Sequence, residues 1–443
     1  MEKKRNLTEK KRKLMEGFHR LSQQQRLLRT QEICNLTDDD LKVLSGERSL
    51  PLEIAEHLIE NVIGYFPIPL GVATHFNIDG QDVLIPMAVE ETSIIAAASA
   101  TAKWIRSHGS IRTYIKGRLI IGQVQLPEVK NVDFVVRVLK EKRDYLIELA
   151  NQSVPGLVGR GGGIRDIAIR EIDRPSWDGP SQGKMIVLHV LCDPCDAMGA
   201  NLINQVCETL KPTVEGLTQE RVGLCILSNL VDQKLAGAEV IIRGVDPVVS
   251  KGIEEAALFA KADPYRAATH NKGVLNGIDP ILIATGNDWR AVEAGIHAYA
   301  ARSGSYQPVT EWRLEGSDLI GKIEVPMAVG TVGGVTRLHP TAQVALKILN
   351  AQKSEDLARI CVAVGLVQNL GALKALATVG IVKGHMQLHA ANLAIAAGAE
   401  LHEIATVRER LTEVLKVEKQ INLTHAKEIL DAMRVAERSA IVL

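Results

Sequence analysis

The chain has 443 residues, 46% hydrophobic and 23% charged, enough for a sizeable core shared among two or three domains. Its 52 basic and 52 acidic residues cancel and aromatics are only 3%, which argues against a global field for nucleic acid or membrane and against base-stacking platforms. The charged first residues hold no apolar signal core, no uninterrupted apolar run approaches a membrane span, and six scattered cysteines fit reduced thiols, so cytoplasmic residence is the expectation.

Residues 14–60 predict helices, with Leu, Ile and Val at helical spacing and Thr37 ahead of Asp38–Asp40 as a capping cluster. Residues 61–73 read as extended, because Pro67 and Pro69 forbid a helix. Val83–Val89 reads as a strand. Thr92 or Ser93 then caps a helix over residues 94–102, whose small side chains on every face predict tight packing. From Tyr114 to Asn229 strands are expected at 118–126, 184–191 and 222–227, with helices at 132–151 and from Gly199 onward. That pattern predicts a compact α+β insert. A mixed α/β region returns from Ala238 to Gly380, with a long apolar helix near Ala358–Leu370. The stretch from Gly384 is helical, and Glu409–Lys419 forms a charged amphipathic face.

Four segments carry candidate chemistry. Arg266–Gly273 and Ala284–Arg290 set Lys272 and Asp288 among Gly and Asn, where positive φ and close backbone approach are easy. Glu90-Glu91 supplies an acid pair and Gly384-His385-Met386 an imidazole. Glu, Lys, Asp and His together suit a carbonyl-reducing site, in which the lysine stabilises a developing oxyanion. Each also has a plainer role: Asp288 as the cap of the next helix, Lys272 as a solvated loop lysine, Glu91 as an acid at a helix N-terminus. His385 and His389 stand four apart, but Met386 replaces the Glu of HExxH, so no metal is expected. The lone Cys192-Asp-Pro-Cys195 reads as buried structural thiols.

Two glycine-rich stretches border predicted elements, Gly159–Gly163 and Asp196-Ala197-Met198-Gly199-Ala200-Asn201. The second runs into a helix whose amides can receive a phosphate or ribose; a plain helix start is the other reading. Neither matches GxGxxG, so no Rossmann fingerprint exists. Gly316–Ile323 has the P-loop spacing, yet Ile323 replaces the Ser/Thr and Pro326 follows, so a hairpin turn is expected there.

Taken together, Glu60–Gly64, Val83–Ser93, Asp196–Asn201, Leu227–Asn229, Asp263–Asp279, Gly286–Gly295, Val332–Gly334 and Gly384–Met386 closely resemble 3-hydroxy-3-methylglutaryl-CoA (HMG-CoA) reductase of the soluble, class II type. The resemblance implies a four-electron reduction of HMG-CoA to mevalonate and CoA by two NADPH or NADH, via mevaldyl-CoA and mevaldehyde. It implies that Lys272 donates to the thioester oxygen and Glu91 protonates at the aldehyde stage. His385 would protonate the CoA thiolate, and Asp288 would hold Lys272 and Glu91 in one network. Ser93, Arg266 and Asn276 would bind the HMG carboxylate and hydroxyl, with Asn229 nearby. Asp196, Ala197, Met198, Gly199, Ala200 and Asn201 would form the cofactor segment.

The implied fold is α+β: a large mixed α/β substrate-binding domain (1–115 and 230–383) with an inserted ferredoxin-like antiparallel-sheet cofactor domain (116–229), not Rossmann. A helical C-terminal flap (384–443) would close on substrate. The implied assembly is a homodimer with intersubunit active sites near Glu60–Gly64, with a hexamer as the larger alternative. The membrane anchor of class I relatives is not expected. Two departures stand out. Leu14 occupies the place of an Arg thought to touch CoA, with Arg12 and Lys13 beside it. Residues 151–160 hold no acid to bind a ribose 2′-hydroxyl, which with Arg160 leans cofactor choice towards NADPH.

Overall fold

The computed structural model describes residues 12–48, 50–378, 380–418 and 420–441, without the side chains of 381–388 and 437–441. The strands are β1 (Leu70–Ile78), β2 (Gln81–Ala88), β3 (Gly109–Lys116), β4 (Ile120–Val129), β5 (Gly163–Asp173), β6 (Lys184–Asp193), β7 (Cys225–Ser228), β8 (Leu235–Ile242), β9 (Thr310–Glu315) and β10 (Asp318–Pro326). The first helices are α1 (Gln23–Cys34), α2 (Asp38–Ser45), α3 (Ile94–His108), α4 (Val132–Glu141), α5 (Arg143–Gln152) and α6 (Ala200–Thr218). Then come α7 (Pro247–Ala262), α8 (Pro264–Ala284), α9 (Trp289–Ala300), α10 (Pro340–Leu349) and α11 (Ser354–Ala377). The last three are α12 (Ile381–Ala396), α13 (Ile404–Glu418) and α14 (Leu423–Ile441).

Two sheets organise the chain. A six-stranded sheet has the order β2-β1-β3-β8-β10-β9, antiparallel except where Ile78 meets Ile111 between β1 and β3. A four-stranded, wholly antiparallel sheet has the order β5-β6-β4-β7. Its chain order is β4, the helix pair α4–α5, β5, β6, α6, β7. That is the ferredoxin-like split βαβ arrangement expected from the resemblance. Gly122 on β4 lets α6 lie flat, because a Cβ there would collide with Ile203 and Cys207.

The largest core gathers β1, β2, β3, β8 and β10 around α3, α8 and α11. A second core, from Ile120 to Val231, lies between the small sheet and its helices. A third ties α12, α13 and α14 together through Ala390, Ala394, Val407, Leu411, Ala426 and Leu430.

The helix expected near Ala358–Leu370 is longer, 24 residues, and buried along most of its length. By length and mean composition it could span a membrane, although Gln368 and Asn369 interrupt its apolar run, in keeping with the expectation; 67% of its apolar window is buried inside the protein as core. The helix expected over 132–151 is two helices that meet at Lys142, where φ is −97° and ψ 8°. The break turns Arg143 onto Asp166 of β5 at 2.6 Å and buries Leu146 and Ala150 completely. Strands β3 and β5 were not expected; β5 starts inside a glycine run and carries a bulge between Ile164 and Asp166, which masks its alternation. Thr37 does cap α2, in a capping box with Asp40. Gly316, at φ 64°, forms the β9–β10 hairpin turn in place of a nucleotide loop.

The crossing of α8 and α11 is close. A Cβ on Gly277 would stand 2.7 Å from the Val364 carbonyl oxygen and 3.0 Å from the Gly365 Cα. Alanine is the better helix former by about 1 kcal/mol, but backbone atoms cannot step aside. Gly277→Ala should therefore lower stability by about 1–3 kcal/mol, read from the urea midpoint. An unchanged midpoint would show that the crossing relaxes freely.

Candidate active site

Helix α8 builds one wall of the site. Asp263 caps it by accepting from Tyr265 N at 3.1 Å, and Pro264 occupies its first turn. Ala267, Val274, Ile278, Ile281 and Leu282 form its buried stripe. The stripe wins over Gly273, Gly277 and Pro280, so the segment is helical throughout. Lys272 is thus mid-helix, which corrects the expected Gly/Asn-rich loop.

Its two preceding neighbours are anchored. His270 is 1% exposed and its Nε2 meets Thr310 Oγ1 at 2.5 Å. Asn271 donates to the Gln307 carbonyl at 2.9 Å and accepts from Val309 N at 3.0 Å. Thr310 in turn donates to Asn369 Oδ1 at 3.0 Å, and Trp312 Nε1 to the same oxygen at 2.8 Å. The backbone under Lys272 is therefore fixed from β9 and α11.

Lys272 itself points outward, and its Nζ donates to Glu91 Oε2 at 3.2 Å. The two side chains are 61% and 45% exposed. Glu91 lies in the short turn between β2 and α3. Ser93 stands at the N-cap of α3, with left-handed backbone (φ 78°) and no side-chain cap bond. The cap position is as expected, but the capping chemistry is not. Such a backbone at a non-glycine residue marks local strain beside the acid.

The structure brings Lys272 and Glu91 together but does not join Asp288 to them. Asp288 caps α9 by accepting from Ala291 N at 3.1 Å, and pairs with Arg290 at 3.7 Å. Asn276 lies one turn after Lys272 on the same face. Arg266 is half-buried, and burial pulls its guanidinium below the ordinary value. Asn229 follows β7 and its carbonyl packs on Gly295 of α9. His385 falls in α12, but its side chain lies outside the described residues.

Beside Glu91 opens a cavity of about 920 Å³. Ser93, Ala96, Ser99, Ala100 and Lys103 line it from α3, at helical spacing. This face of α3 is open, a partial correction to the tight packing expected all round. The opposite face is tight: a Cβ on Gly371 of α11 would stand 2.6 Å from Thr101 Oγ1. His19, Arg26, His75, Lys103 and Arg408 give the cavity a basic lining. His75 sits on a β1 bulge with φ 69°, and burial with Lys103 nearby lowers its pKa. The sequence reading missed this cluster. Its one legible signal was Lys103, in phase with Ser93 along a stripe of small residues.

The second glycine-rich segment is held rigidly. Asp196 Oδ1 accepts from Ser354 N at 2.9 Å and its carbonyl from Thr331 N at 3.0 Å. A Cβ on Gly330 would stand 2.7 Å from Met198 N. Gly199, at φ 92°, is the N-cap of α6 and has no side chain to cap it. A Cβ there would stand 2.5 Å from Ile120 Cδ1. Ala197, Met198 and Ala200 are half-buried and Asn201 is exposed. The first turn of α6 thus has no side-chain cap and sits on a fixed backbone, which fits a phosphate-bearing cofactor. The Cys195 thiol lies 3.7 Å from the Arg160 carbonyl, so the 151–160 stretch borders this segment. Cys192 is buried and pushed up to about 12, an inert thiol, whereas Cys195 is only partly buried, against expectation. Among the described residues no three metal-ligating side chains converge.

A lysine–carboxylate pair beside a cavity lined by basic side chains, with a glycine-opened helix in a split βαβ sheet, fits an oxidoreductase without a Rossmann unit. Residues 22–390 match the family model described as hydroxymethylglutaryl-coenzyme A reductase. A 3-hydroxy-3-methylglutaryl-coenzyme A reductase of Archaeoglobus fulgidus is 46% identical over 423 residues, 94% of each chain. A Streptococcus pneumoniae reductase structure superposes with TM-score 0.79 at 38% identity, covering 94% of this chain and 99% of that one. A second structure, the class II enzyme of S. pneumoniae bound to NADPH in open conformations, gives TM-score 0.78 at 38% identity, over 82% and 99% of the two chains. The chain belongs to the hydroxymethylglutaryl-coenzyme A reductase family, in its class II branch.

The buried imidazole beneath Lys272 yields a pH prediction. Burial, with Arg266 nearby, pushes His270 down to about 4 from its ordinary 6.5. The unfolded chain then binds a proton that the native state refuses, so stability is full above pH 6.5 and is lost as pH falls towards 4. His270→Gln should flatten that acid limb in melting curves. A limb of unchanged slope would remove His270 as its source.

Proposed function

We propose that the protein reduces HMG-CoA to mevalonate and free CoA with two reduced nicotinamide cofactors, or runs the reverse oxidative acylation. The observation that carries this reading is the Lys272–Glu91 pair, 3.2 Å apart at the mouth of a basic cavity. Each cofactor supplies one hydride when bound.

Lys272 points its ammonium at the carbonyl oxygen, where negative charge develops in both reductions, first at the thioester and then at the aldehyde. Glu91, held against that ammonium, delivers the proton at the aldehyde stage. Asp288 joins this network on substrate binding, leaving Arg290. His385, from α12, protonates the departing thiolate. Arg266 takes the HMG carboxylate in a bidentate grip, with Ser93, Asn276 and Asn229 around the hydroxyl. The cations lining the cavity, Arg26, Lys103 and Arg408, suit the phosphates of CoA and stand in for the arginine missing at Leu14.

Residues 196–201 and the N-terminus of α6 hold the cofactor, with the small sheet as its domain (116–229). The large domain (1–115 and 230–383) holds HMG-CoA. Arg160, exposed beside Cys195, favours the 2′-phosphate of NADPH over NADH. The helices from 384 act as the flap; Arg408 of α13 already lines the cavity. A second copy of the chain covers the apolar segment where Ile63 is 102% and Phe66 89% exposed, placing an active site at each dimer interface. A hexamer is a larger assembly of the same dimers.

The test follows nicotinamide absorbance with HMG-CoA and NADPH, then NADH, in separate mixtures. The expected result is two cofactors oxidised per CoA released and a higher kcat/KM with NADPH. A folded protein that oxidises neither sinks the reading, and an NADH preference overturns the role of Arg160. Lys272→Ala should cost about 10²–10³-fold or more on both HMG-CoA and mevaldehyde. His385→Ala should slow HMG-CoA reduction and spare mevaldehyde; equal losses would deny His385 the thiolate.

A further inference from the structure

Two acids meet where α8 adjoins α9, and no cation among the described residues acts on Asp279. Asp279 lies on α8 seven residues after Lys272 and three after Asn276, so all three share one helix face. Glu293 lies on α9, the helix capped by Asp288. The same helix supports Asn229, since a Cβ on Gly295 would stand 2.5 Å from the Asn229 oxygen. Asp279 Oδ1 is sealed from solvent and has no donor among the described residues. Its carboxyl is nonetheless hydrogen-bonded to Glu293. Two carboxyl groups bond only through a proton, because an ionised carboxylate has no donor.

Burial, then the charge of Glu293, pushes Asp279 up to about 8 from its ordinary 3.8. Glu293 is the one charged group acting on it among the described residues. The other ionisable group facing it is Cys361 of α11, whose burial pushes its thiol up and keeps it neutral.

We propose that Asp279 donates a proton to Glu293 and thereby pins α8 to α9, making the two a positioning pair. It holds Lys272 and Asn276 in register with Asp288 and Asn229. The positioning role rests on the site assignments proposed above; the shared proton does not. The native state keeps a proton that the unfolded chain has released above 3.8, so the pair's contribution is complete below that value and is lost as pH rises through about 8.

Melting temperature is measured against pH for the wild type, Asp279→Asn and Glu293→Gln, each without ligand. The wild type should lose stability towards pH 8, and both variants should lose that slope. Parallel curves overturn the shared proton. Should neither variant fold, infrared difference spectra of the wild type decide: a protonated-carboxyl band at neutral pH that disappears near pH 8 supports it, and no such band overturns it. At saturating HMG-CoA and NADPH, wild-type kcat should fall about fivefold from pH 8 to pH 9, as for one group titrating at about 8. Asp279→Asn should remove that limb with KM unchanged. An unchanged limb alongside altered melting curves keeps the proton and overturns the positioning role. A protein with no HMG-CoA activity would still be judged by its melting curves.

Discussion

The backbone contact between α8 and α11 sets the position of everything around it. Gly277 brings α8 down onto the Val364 carbonyl, and Gly365 receives Ile278 and Val274 in return. With side chains removed on both sides, the helices meet as surfaces that cannot slide without collision. The buried face of α8 is thereby committed, and so is its outer face. Asn369, on the same long helix, reaches Thr310 and Trp312 and so ties the six-stranded sheet to the contact. One rigid body of two helices and a sheet edge carries the lysine.

The charges at the site are treated differently from those beneath it. Lys272 and Glu91 are each about half exposed, where an ion pair adds little to stability, roughly 0–1 kcal/mol. Their geometry is instead bought by the burial of His270 and Asn271. An exposed pair keeps its charges hydrated until substrate arrives, and its attraction strengthens as water leaves. Below it, His270 is driven neutral by burial and Asp279 is driven towards its protonated form. The same helix thus carries a charged outer rim over an uncharged foundation.

Much of this was legible in residues alone. The absence of GxGxxG argued against a Rossmann unit, and the pattern between Ile120 and Ser228 gave a compact α+β unit, but β5 was hidden by its glycine run and only the family resemblance implied the split βαβ order. The Thr37 cap and the Gly316 turn were readable because each depends on local chemistry only. The setting of Lys272 was not. Gly and Asn around it argue for a loop by propensity, and only the buried stripe from Ala267 to Leu282, packed on α11, makes it helical. Ser93 marked the start of α3, but its left-handed backbone depends on how the β2 turn enters the helix. The basic cavity draws on α1, β1, α3 and α13, segments far apart in the chain, and no local pattern announces such a convergence.

A lysine mounted mid-helix also limits how this gene can vary in length. One residue inserted between Pro264 and Lys272 would turn the ammonium through about 100° about the helix axis and swing it away from Glu91. A loop would absorb the same insertion by bulging. Point substitutions on the outer face of α8 leave that angle alone. Lineages carrying this architecture should therefore accept changes of residue along α8 while keeping its residue count constant, with insertions and deletions displaced to segments such as 174–183, the turn between β5 and β6.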